Sequence, residues 1–258
     1  MTAGSAAAAA APATGPLLET VGLEKWFGGL RAVHDINFRL DAGEIRAIIG
    51  PNGAGKTTFV SMISGRLRPT VGRVVFRGRD VTPLPAHERV GLGIAYTFQI
   101  VSIFKHLTVY DNVALATQRR LMKQRLDALI FNPRSLVAET EAALAEVGLA
   151  AERGRPAGTL AHGHQRLLEI AMTLALRPAL LILDEPTQGL APDETAGLVA
   201  LIRRIAARTT VLLIEHNVEV VLGLSQRVTV MNWGEVIAEG SPREIEANPE
   251  VQRVYLGR

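Results

Sequence analysis

A glycine-rich loop between an apolar run and a helical stretch constrains the fold of this chain more than any other feature. The run at 45–49 leads into the loop, and a helix is predicted beyond it over 59–65. The loop matches G-x-x-x-x-G-K-T, whose glycines let backbone N–H groups turn towards a phosphate that the positive end of the helix dipole also attracts. This setting predicts nucleotide binding without choosing among an ATPase, a GTPase and a kinase. The loop residues are Gly50, Pro51, Asn52, Gly53, Ala54, Gly55, Lys56, Thr57 and Thr58.

Two side chains at the end of this loop have distinct predicted roles. The Lys56 ammonium neutralises β- and γ-phosphate oxygens, and the Thr57 hydroxyl is a magnesium ligand. A chance glycine-rich turn would lack the flanking strand and helix, so the context favours a phosphate site.

A second candidate site follows another apolar run. Residues 180–183 are all apolar and lead into Asp184 and Glu185. Successive side chains on a strand point to opposite sides, so the two acids are predicted to have different roles. We expect Asp184 to hold magnesium, commonly through water, and Glu185 to polarise the attacking water as general base. A strand that ends in acids can also be a solvated turn, an alternative that the phosphate loop disfavours.

The charge balance argues against a nucleic-acid partner. There are 28 basic and 25 acidic side chains among 258 residues, a net charge of only +3. A nucleic-acid binder concentrates basic residues on one face instead. Cysteine is absent, so no disulfide framework, cysteine metal site or cysteine nucleophile is expected, and a reducing cytoplasm is the simpler compartment.

The sequence has no predicted membrane span. The longest apolar candidate, 174–183, is interrupted by Arg177 and Pro178 and falls short of the roughly 18 residues required. The alanine-rich residues 1–16 have neither the basic nor the strongly apolar region of a secretory signal, so they are predicted to be a disordered tail. Any membrane role is therefore expected to be peripheral.

Short β-rich runs and helical stretches together predict an α/β fold. Several runs are continuous apolar blocks, typical of strands buried on both faces of a parallel sheet. The runs up to residue 76 are spaced closely enough for an antiparallel sheet packed against it. The stretch 107–177 is predicted to be helical with a break at Asn132-Pro133, and Ser241-Pro242 opens a short helix. The predicted strands are 36–38, 45–49, 74–76, 94–97, 180–183, 211–214, 228–231 and 236–239.

The order of these motifs resembles that of the ATP-binding cassette (ABC) ATPases over nearly the whole chain, residues 20–258. Gln99 resembles the glutamine-loop residue that touches magnesium and couples the site to a membrane partner. His216 resembles the switch histidine that contacts the γ-phosphate, and the loop 186–193 resembles the one that joins the two nucleotide sites of a dimer. The resemblance implies ATP and Mg²⁺ as cofactors. It implies Glu185, His216, Lys56 and Gln99 as catalytic residues, and Thr57, Gln99 and Asp184 as magnesium ligands.

Two further segments resemble parts of the same site. Phe27, ahead of Gly28-Gly29, resembles the aromatic residue that stacks on adenine, with Trp26 as the less favoured neighbour. Another segment stands where the family has its LSGGQ signature, which contacts the ATP of a second chain. The residues of this signature segment are Leu160, Ala161, His162, Gly163 and His164.

The signature segment departs from the consensus at Ala161, where the family has a serine that donates a hydrogen bond to the partner's ATP. Loss of this hydroxyl weakens the contact by about 1.5–3 kcal/mol, while the Gly163 N–H and the helix N-terminus remain. An active but slower ATPase is therefore expected. His162 and His164 have no cysteine or acidic cluster to complete a metal site, so a variant signature is favoured over metal binding.

Local features resemble one subgroup, the ATP-binding subunits of hydrophobic amino-acid uptake systems, including branched-chain amino-acid importers. These features are the segments 27–33, 167–171, 214–217 and 237–257. Length and tail favour the longer of that system's two ATPase types. The resemblance implies one domain over 17–258, with a P-loop NTPase (ABC ATPase) core, an antiparallel β subdomain and an α-helical subdomain at about 103–177.

The same resemblance implies an assembly at the cytoplasmic face of the plasma (inner) membrane. A second ATPase chain, identical or a shorter paralogue, faces the first head to tail, and two transmembrane permease subunits dock near Gln99. A periplasmic or extracellular solute-binding protein takes part indirectly. Nothing in this chain is expected to contact the solute.

Other functions stay open at this point. Importers of this kind also carry urea, amides and aromatic acids. Ala161 is compatible with a non-hydrolysing regulatory subunit, against which Glu185 and His216 argue. An ABC-type ATPase acting on nucleic acid or ribosomes would usually have two cassettes or a long coiled coil, and a small-molecule kinase would leave the signature segment unexplained.

Overall fold

The computed structural model describes residues 15–124 and 132–255, which form two β-sheets with helices packed against them. Most of the alanine-rich tail, and Leu256 and Gly257 of the C-terminal pattern, lie outside the described residues. Numbered along the chain, the strands are β1 Leu18–Phe27, β2 Leu30–Leu40, β3 Ile45–Ile49, β4 Val71–Phe76, β5 Arg79–Asp80, β6 Ile94–Tyr96, β7 Leu180–Asp184, β8 Thr210–Ile214, β9 Arg227–Asn232 and β10 Glu235–Gly240. The helices are α1 Lys56–Ser64, α2 Ala86–Leu92, α3 Val109–Gln124, α4 Pro133–Glu146, α5 His162–Ala175, α6 Pro192–Ala206, α7 Val218–Leu224, α8 Pro242–Ala247 and α9 Pro249–Tyr255.

The larger sheet has the strand order β10-β9-β3-β8-β7-β6. Its neighbouring pairs from β9 to β6 are parallel, and β10 returns antiparallel to β9. The carboxyl ends of parallel strands meet at one edge of a sheet, which is where ligands bind in such folds. The ends of β3, β7 and β8 therefore bring the phosphate loop, the two acids and His216 to the same edge.

The smaller sheet is antiparallel, with the order β2-β1-β4-β5, as the close spacing of the early runs predicts. Each of the eight predicted runs overlaps a strand, although β6 ends at Tyr96, one residue before the predicted end of its run. The sequence pattern does not predict β1 or β5. Gly22 has a φ of 54°, and the pairing of β1 with β2 shifts register between Thr20 and Leu23. This bulge breaks the alternation by which a strand is recognised in sequence, and β5 has only two residues.

The core lies on both faces of the larger sheet, as the continuous apolar runs predict. Along β7, Leu181 and Leu183 pack with the helices α3 to α6 on one face. Leu180 and Ile182 pack on the other face, with α1 and the antiparallel sheet. Each fully buried leucine contributes about 1.5–3 kcal/mol relative to exposure, so β7, which ends at the two acids, is firmly packed on both faces.

The helical stretch contains α3, α4 and α5, and it corrects one prediction from sequence. The basic run at 119–125 is predicted to be a solvated helical face. Arg119 is exposed, but Arg120 is buried, donates to the Ala175 carbonyl at 2.9 Å and pairs with Glu139. The buried guanidinium ties α3 to α4 and α5, and Arg125 lies outside the described residues.

Local capping explains where two helices begin. Asn132 caps α4 by accepting a hydrogen bond from the Arg134 N–H, with Pro133 in the first turn, so the predicted break is the start of this helix. Ser241 and Glu244 form a capping box at α8. In residues 15–124 and 132–255, no helix is long and apolar enough to cross a membrane.

Candidate nucleotide-binding site

The phosphate loop runs from β3 into α1 and is pressed against the backbone of other elements. A Cβ on Gly50, whose φ is 153°, would lie 2.1 Å from the Met231 carbonyl oxygen. A Cβ on Gly55, whose φ is 93°, would lie 2.6 Å from the Ala32 carbonyl oxygen. Backbone cannot yield as a flexible side chain does, so these two positions require glycine. The glycines of the motif therefore fix the loop against β2 and β9.

The opposite side of the loop is open. Asn52 and Gly53 are exposed, and nothing lies within 4 Å of a Cβ placed on Gly53, although its φ is 82°. Gly53 is thus needed for backbone conformation and not for space. An open loop of this conformation with the start of α1 behind it fits a phosphate chain.

Lys56 lies between the phosphate loop and the acids. Its ammonium is buried and donates to the carbonyls of Gly50 at 2.7 Å and Pro51 at 3.0 Å. Burial lowers the pKa of Lys56, and the charges of Glu185 and Asp184 oppose this shift. The ammonium is therefore held where it faces both the loop and the two acids, as a phosphate ligand requires.

Asp184 has a partner that the sequence does not reveal. The Tyr96 hydroxyl, on the adjacent strand β6, donates to Asp184 Oδ2, and Asp184 is only 1% exposed. Burial and the neighbouring Glu185 raise the pKa of Asp184, against the hydrogen bond from Tyr96. Burial raises the pKa of Tyr96 too, which keeps its hydroxyl as a donor. One signal was available in sequence, since Tyr96 lies in the predicted strand 94–97, three positions before Gln99.

Glu185 leaves the strand by a turn. Its φ is 47°, and its backbone N–H donates to the Ile214 carbonyl at 2.8 Å. The sequence predicts that strand alternation separates the two acids, but β7 ends at Asp184, so this left-handed turn separates them instead. A left-handed conformation is uncommon at a residue other than glycine, and strained residues of this kind cluster at active sites.

The structure brings Gln99 and His216 to Glu185, although they are far apart in sequence. The Gln99 amide donates to Glu185 Oε2 at 3.1 Å, and His216 Nδ1 lies 3.9 Å from the same oxygen. Gln99 and His216 are exposed, and the Glu185 side chain is mostly buried. Two predicted catalytic residues therefore converge on a carboxylate oxygen of the third, Glu185.

The predicted magnesium ligands form a donor set that fits the ion. The Thr57 hydroxyl, the Asp184 carboxylate and the Gln99 amide oxygen are hard oxygen donors, which Mg²⁺ prefers. The Gln99 amide nitrogen is directed to Glu185, so its oxygen remains as an acceptor. A sparse protein donor set also suits Mg²⁺, because the ion keeps several waters and binds substrate phosphates.

The signature segment forms the largely exposed start of α5. Ala161 is the N-cap of α5, without a side-chain cap, and it is exposed together with His162 and His164. Among the described residues, no hydrogen bond or ion pair joins 160–164 to 50–58. In the part of the chain that the structure describes, the two halves of the predicted site therefore make no polar contact with each other.

One turn further along α5, a buried ion pair holds the glutamine loop. Arg166 donates to the carbonyls of Phe98 at 2.6 Å and Gln99 at 2.8 Å, and it pairs with Glu169 at 2.9 Å. Glu169 accepts from the backbone N–H groups of Phe98 at 3.0 Å and Ser102 at 3.2 Å. The helix that begins with the signature segment is thus fixed to the loop that carries Gln99, a contact that sequence reasoning missed.

Phe27 is more available for stacking than Trp26. The Phe27 side chain lies at the end of β1 and is 48% exposed, with the Lys25 ammonium 5.3 Å from its ring centroid. Trp26 donates to Glu24 at 3.0 Å, and the Arg31 guanidinium lies 5.3 Å from its ring. Each ring has a cation at the same distance, so the hydrogen bond from Trp26 to Glu24 is the difference that favours the prediction of Phe27 as the adenine platform.

Comparisons with known proteins agree with this geometry. A family model described as "ABC transporter" matches residues 33–188, and one described as "Branched-chain amino acid ATP-binding cassette transporter" matches residues 235–258. The chain is 41% identical over 250 residues to the high-affinity branched-chain amino acid transport ATP-binding protein BraF of Pseudomonas aeruginosa. It is 40% identical over 250 residues to LivG of Escherichia coli K12, and each alignment covers 94% of this chain and 98% of the relative.

Solved structures give the same result. A nucleotide-free ATP-binding cassette from an ABC transporter matches with a TM-score of 0.82 and 28% identity, covering 94% of this chain and 100% of that chain. The ADP conformation of an ATP-binding cassette of an ABC transporter matches with a TM-score of 0.83 and 28% identity, covering 95% and 100%. Family model, relatives and fold agree with the phosphate loop and its acids: the chain belongs to the ABC transporter family of ATP-binding proteins.

Proposed function

We propose that this chain is the ATP-hydrolysing subunit of an ABC importer for branched-chain or other hydrophobic amino acids. The convergence of Gln99 and His216 on Glu185, beside Lys56, carries the hydrolytic part of this proposal. The named relatives and the matched C-terminal segment 235–258 support the amino-acid part.

Hydrolysis follows from the positions of a few side chains. Lys56 and the N–H groups of the phosphate loop hold the phosphates, and the exposed Phe27 ring stacks on adenine. Mg²⁺, when bound, supplies positive charge to the phosphate oxygens. Glu185 takes a proton from the attacking water, with its carboxylate oriented by the Gln99 amide, while His216 contacts the γ-phosphate.

A second ATPase chain completes the site. The signature segment is mostly exposed and, among the described residues, makes no hydrogen bond to the phosphate loop of its own chain, which supports a head-to-tail pair in which it contacts the partner's ATP. The N–H groups at the start of α5 are available as donors for an anion. The partner is a copy of this chain or a paralogue.

A permease contact is supported by an apolar groove beside the glutamine loop. The groove has a volume of about 280 Å³, and Phe98, Phe104 and Met172 are among its lining residues. Phe104 is 54% exposed, and the neighbouring Ile100 is 84% exposed. Apolar surface of this kind marks interaction sites. We assign it to transmembrane permease subunits at the cytoplasmic face of the membrane, with the solute-binding protein acting through them.

The test is reconstitution of the chain with its genetically neighbouring permeases in vesicles. We expect ATP hydrolysis to rise when the solute-binding protein is loaded with leucine, isoleucine or valine. Stimulation by urea, an amide or an aromatic acid instead would change the substrate and keep the motor role. Absence of hydrolysis in the assembled complex, with ATP still bound, would favour the regulatory subunit that Ala161 allows.

A further inference from the structure

Glu215 is a fully buried carboxylate after the end of β8 that the proposed mechanism does not use. Its Oε1 accepts hydrogen bonds from the Thr187 backbone N–H at 3.0 Å and from the Thr187 hydroxyl at 2.5 Å. Its Oε2 accepts from the backbone N–H groups of His216 at 3.1 Å and Asn217 at 3.3 Å. Each oxygen is therefore bonded to a different loop.

These two loops leave the same edge of the larger sheet. In the neighbouring parallel strands β7 and β8, Asp184 lies opposite Ile214, and the Glu185 N–H donates to the Ile214 carbonyl. Beyond that bond the loops diverge, one into 186–193 and the other through His216 into α7. The Glu215 carboxylate joins them after the strands have ended, so it sets the spacing between Thr187 and the backbone of His216.

The connection between the two loops needs a side chain at position 215 that accepts hydrogen bonds on both of its terminal atoms. An ionised carboxylate accepts on both oxygens, whereas an amide has one accepting and one donating side. Glutamine at position 215 would therefore direct its NH₂ group at N–H donors of one loop. Buried donors left unsatisfied are costly, so the substitution disturbs one loop without removing packing volume.

We propose that Glu215 is a positioning residue that couples the loop 186–193 to His216. The inference rests on the proposed function, which gives this loop its contact with the second chain and His216 its contact with the γ-phosphate. When the second chain engages the loop, Thr187 moves, and Glu215 carries that movement to the His216 backbone. Glu215 itself touches no reacting atom.

The first test compares two carboxylates, each bonded to a threonine hydroxyl. Glu215→Gln should lower turnover at saturating ATP by about tenfold, while the half-saturating ATP concentration stays within about twofold. The matched control is Glu239→Gln. Glu239 accepts from the Thr229 hydroxyl at 2.6 Å and from Arg46 at 2.9 Å, away from the ATP residues. The full-length chain with its partners is assayed, and Glu239→Gln should retain turnover.

A second measurement separates coupling from general damage. Thr187→Val removes the hydroxyl that Glu215 accepts from, and Thr187→Ser keeps it, so the valine variant should lose more turnover. The double variant Glu215→Gln with Thr187→Val should be no slower than Glu215→Gln, because both remove one connection. If Glu215→Gln fails to fold, the proposal is tested by the turnover of Thr187→Val relative to that of Thr187→Ser. Equal turnover of these two variants would overturn it.

His216→Ala in the same assay separates failure of this inference from failure of the proposed function. Normal turnover of His216→Ala would refute the switch role itself. Loss of turnover in His216→Ala with normal turnover in Glu215→Gln would overturn the positioning role alone. A rise in half-saturating ATP concentration as large as the fall in turnover would also overturn it, since that pattern indicates lost nucleotide binding.

Discussion

The phosphate loop and the signature segment both end at the start of a helix, yet they are packed in opposite ways. The phosphate loop is pressed between β2 and β9, where a Cβ on Gly50 would meet backbone at 2.1 Å. The signature segment exposes three of its five residues and opens α5 with an alanine that provides no side-chain cap. Under the proposed function, one half of the ATP site is complete within the chain, and the other half requires a second chain.

This difference assigns separate properties to the two halves. We expect nucleotide affinity to depend on the phosphate loop in the single chain, and turnover to depend on the pair. The two halves are joined within the chain through Arg166, which fixes α5 to the loop of Gln99. Variants in each half test whether these properties can be separated.

The largest expected effect is that of Glu185→Gln. Without the general base, hydrolysis should fall by about 100-fold or more, because general-base catalysis contributes on that scale. ATP binding should persist, so ATP-bound dimers should accumulate in size-exclusion chromatography while phosphate release stops. Glu246→Gln, an exposed acid, is the control. Normal ATP hydrolysis by the Glu185→Gln chain would refute the role of Glu185 as general base. Gln99 and His216 would then contact a carboxylate that takes no part in catalysis.

Lys56→Ala tests the phosphate loop, the half of the ATP site that lies within one chain. Loss of an ammonium bonded to phosphate should weaken ATP binding to the single chain by about 10- to 100-fold, corresponding to a charge-assisted hydrogen bond. Titration calorimetry on the monomer measures this directly. The exposed Lys105→Ala serves as the control. Unchanged affinity in Lys56→Ala would contradict the assignment of nucleotide affinity to the phosphate loop.

Ala161→Ser tests the signature segment, the half of the ATP site that is proposed to act on a second chain. A restored hydroxyl bonded to the partner's ATP should strengthen ATP-dependent pairing by about tenfold, and it should leave ATP affinity of the single chain unchanged. Sedimentation and phosphate release measure the two effects, with the exposed Ala150→Ser as control. If pairing and turnover stay as in the unmodified chain, the missing serine is no handicap.

Phe27→Ala has the smallest expected effect. Loss of a stacking ring costs about 1 kcal/mol, so single-chain affinity for ATP should fall about fivefold. Trp26→Ala should change affinity less, because the Trp26 indole N–H is already hydrogen-bonded to Glu24. A larger loss of ATP affinity in Trp26→Ala than in Phe27→Ala would assign adenine stacking to Trp26 instead.

Much of the fold follows from local patterns. The phosphate loop, the acids after β7 and the eight predicted strands each lie in one short segment, so spacing and apolar runs reveal them. The strand β1 is not predicted because Gly22 interrupts its alternation. The burial of Arg120 is not predicted because it depends on which helices pack against its face of α3. The periodicity of a segment is visible in sequence, but its partners are not.

The contacts within the candidate site depend on the tertiary structure. Tyr96 reaches Asp184 across 88 positions, Gln99 reaches Glu185 across 86, and Arg166 reaches Gln99 across 67. No local pattern encodes such pairs, because they arise where parallel strands end at one edge of a sheet. The sequence by itself determines an ATP-binding cassette with an altered signature segment. The tertiary structure decides how the cassette is held together. Gln99 and His216 meet at the Glu185 carboxylate, the buried Arg166–Glu169 ion pair holds the glutamine loop, and Glu215 joins the two loops that leave β7 and β8. Each of these contacts needs partners that only folding brings within hydrogen-bond distance.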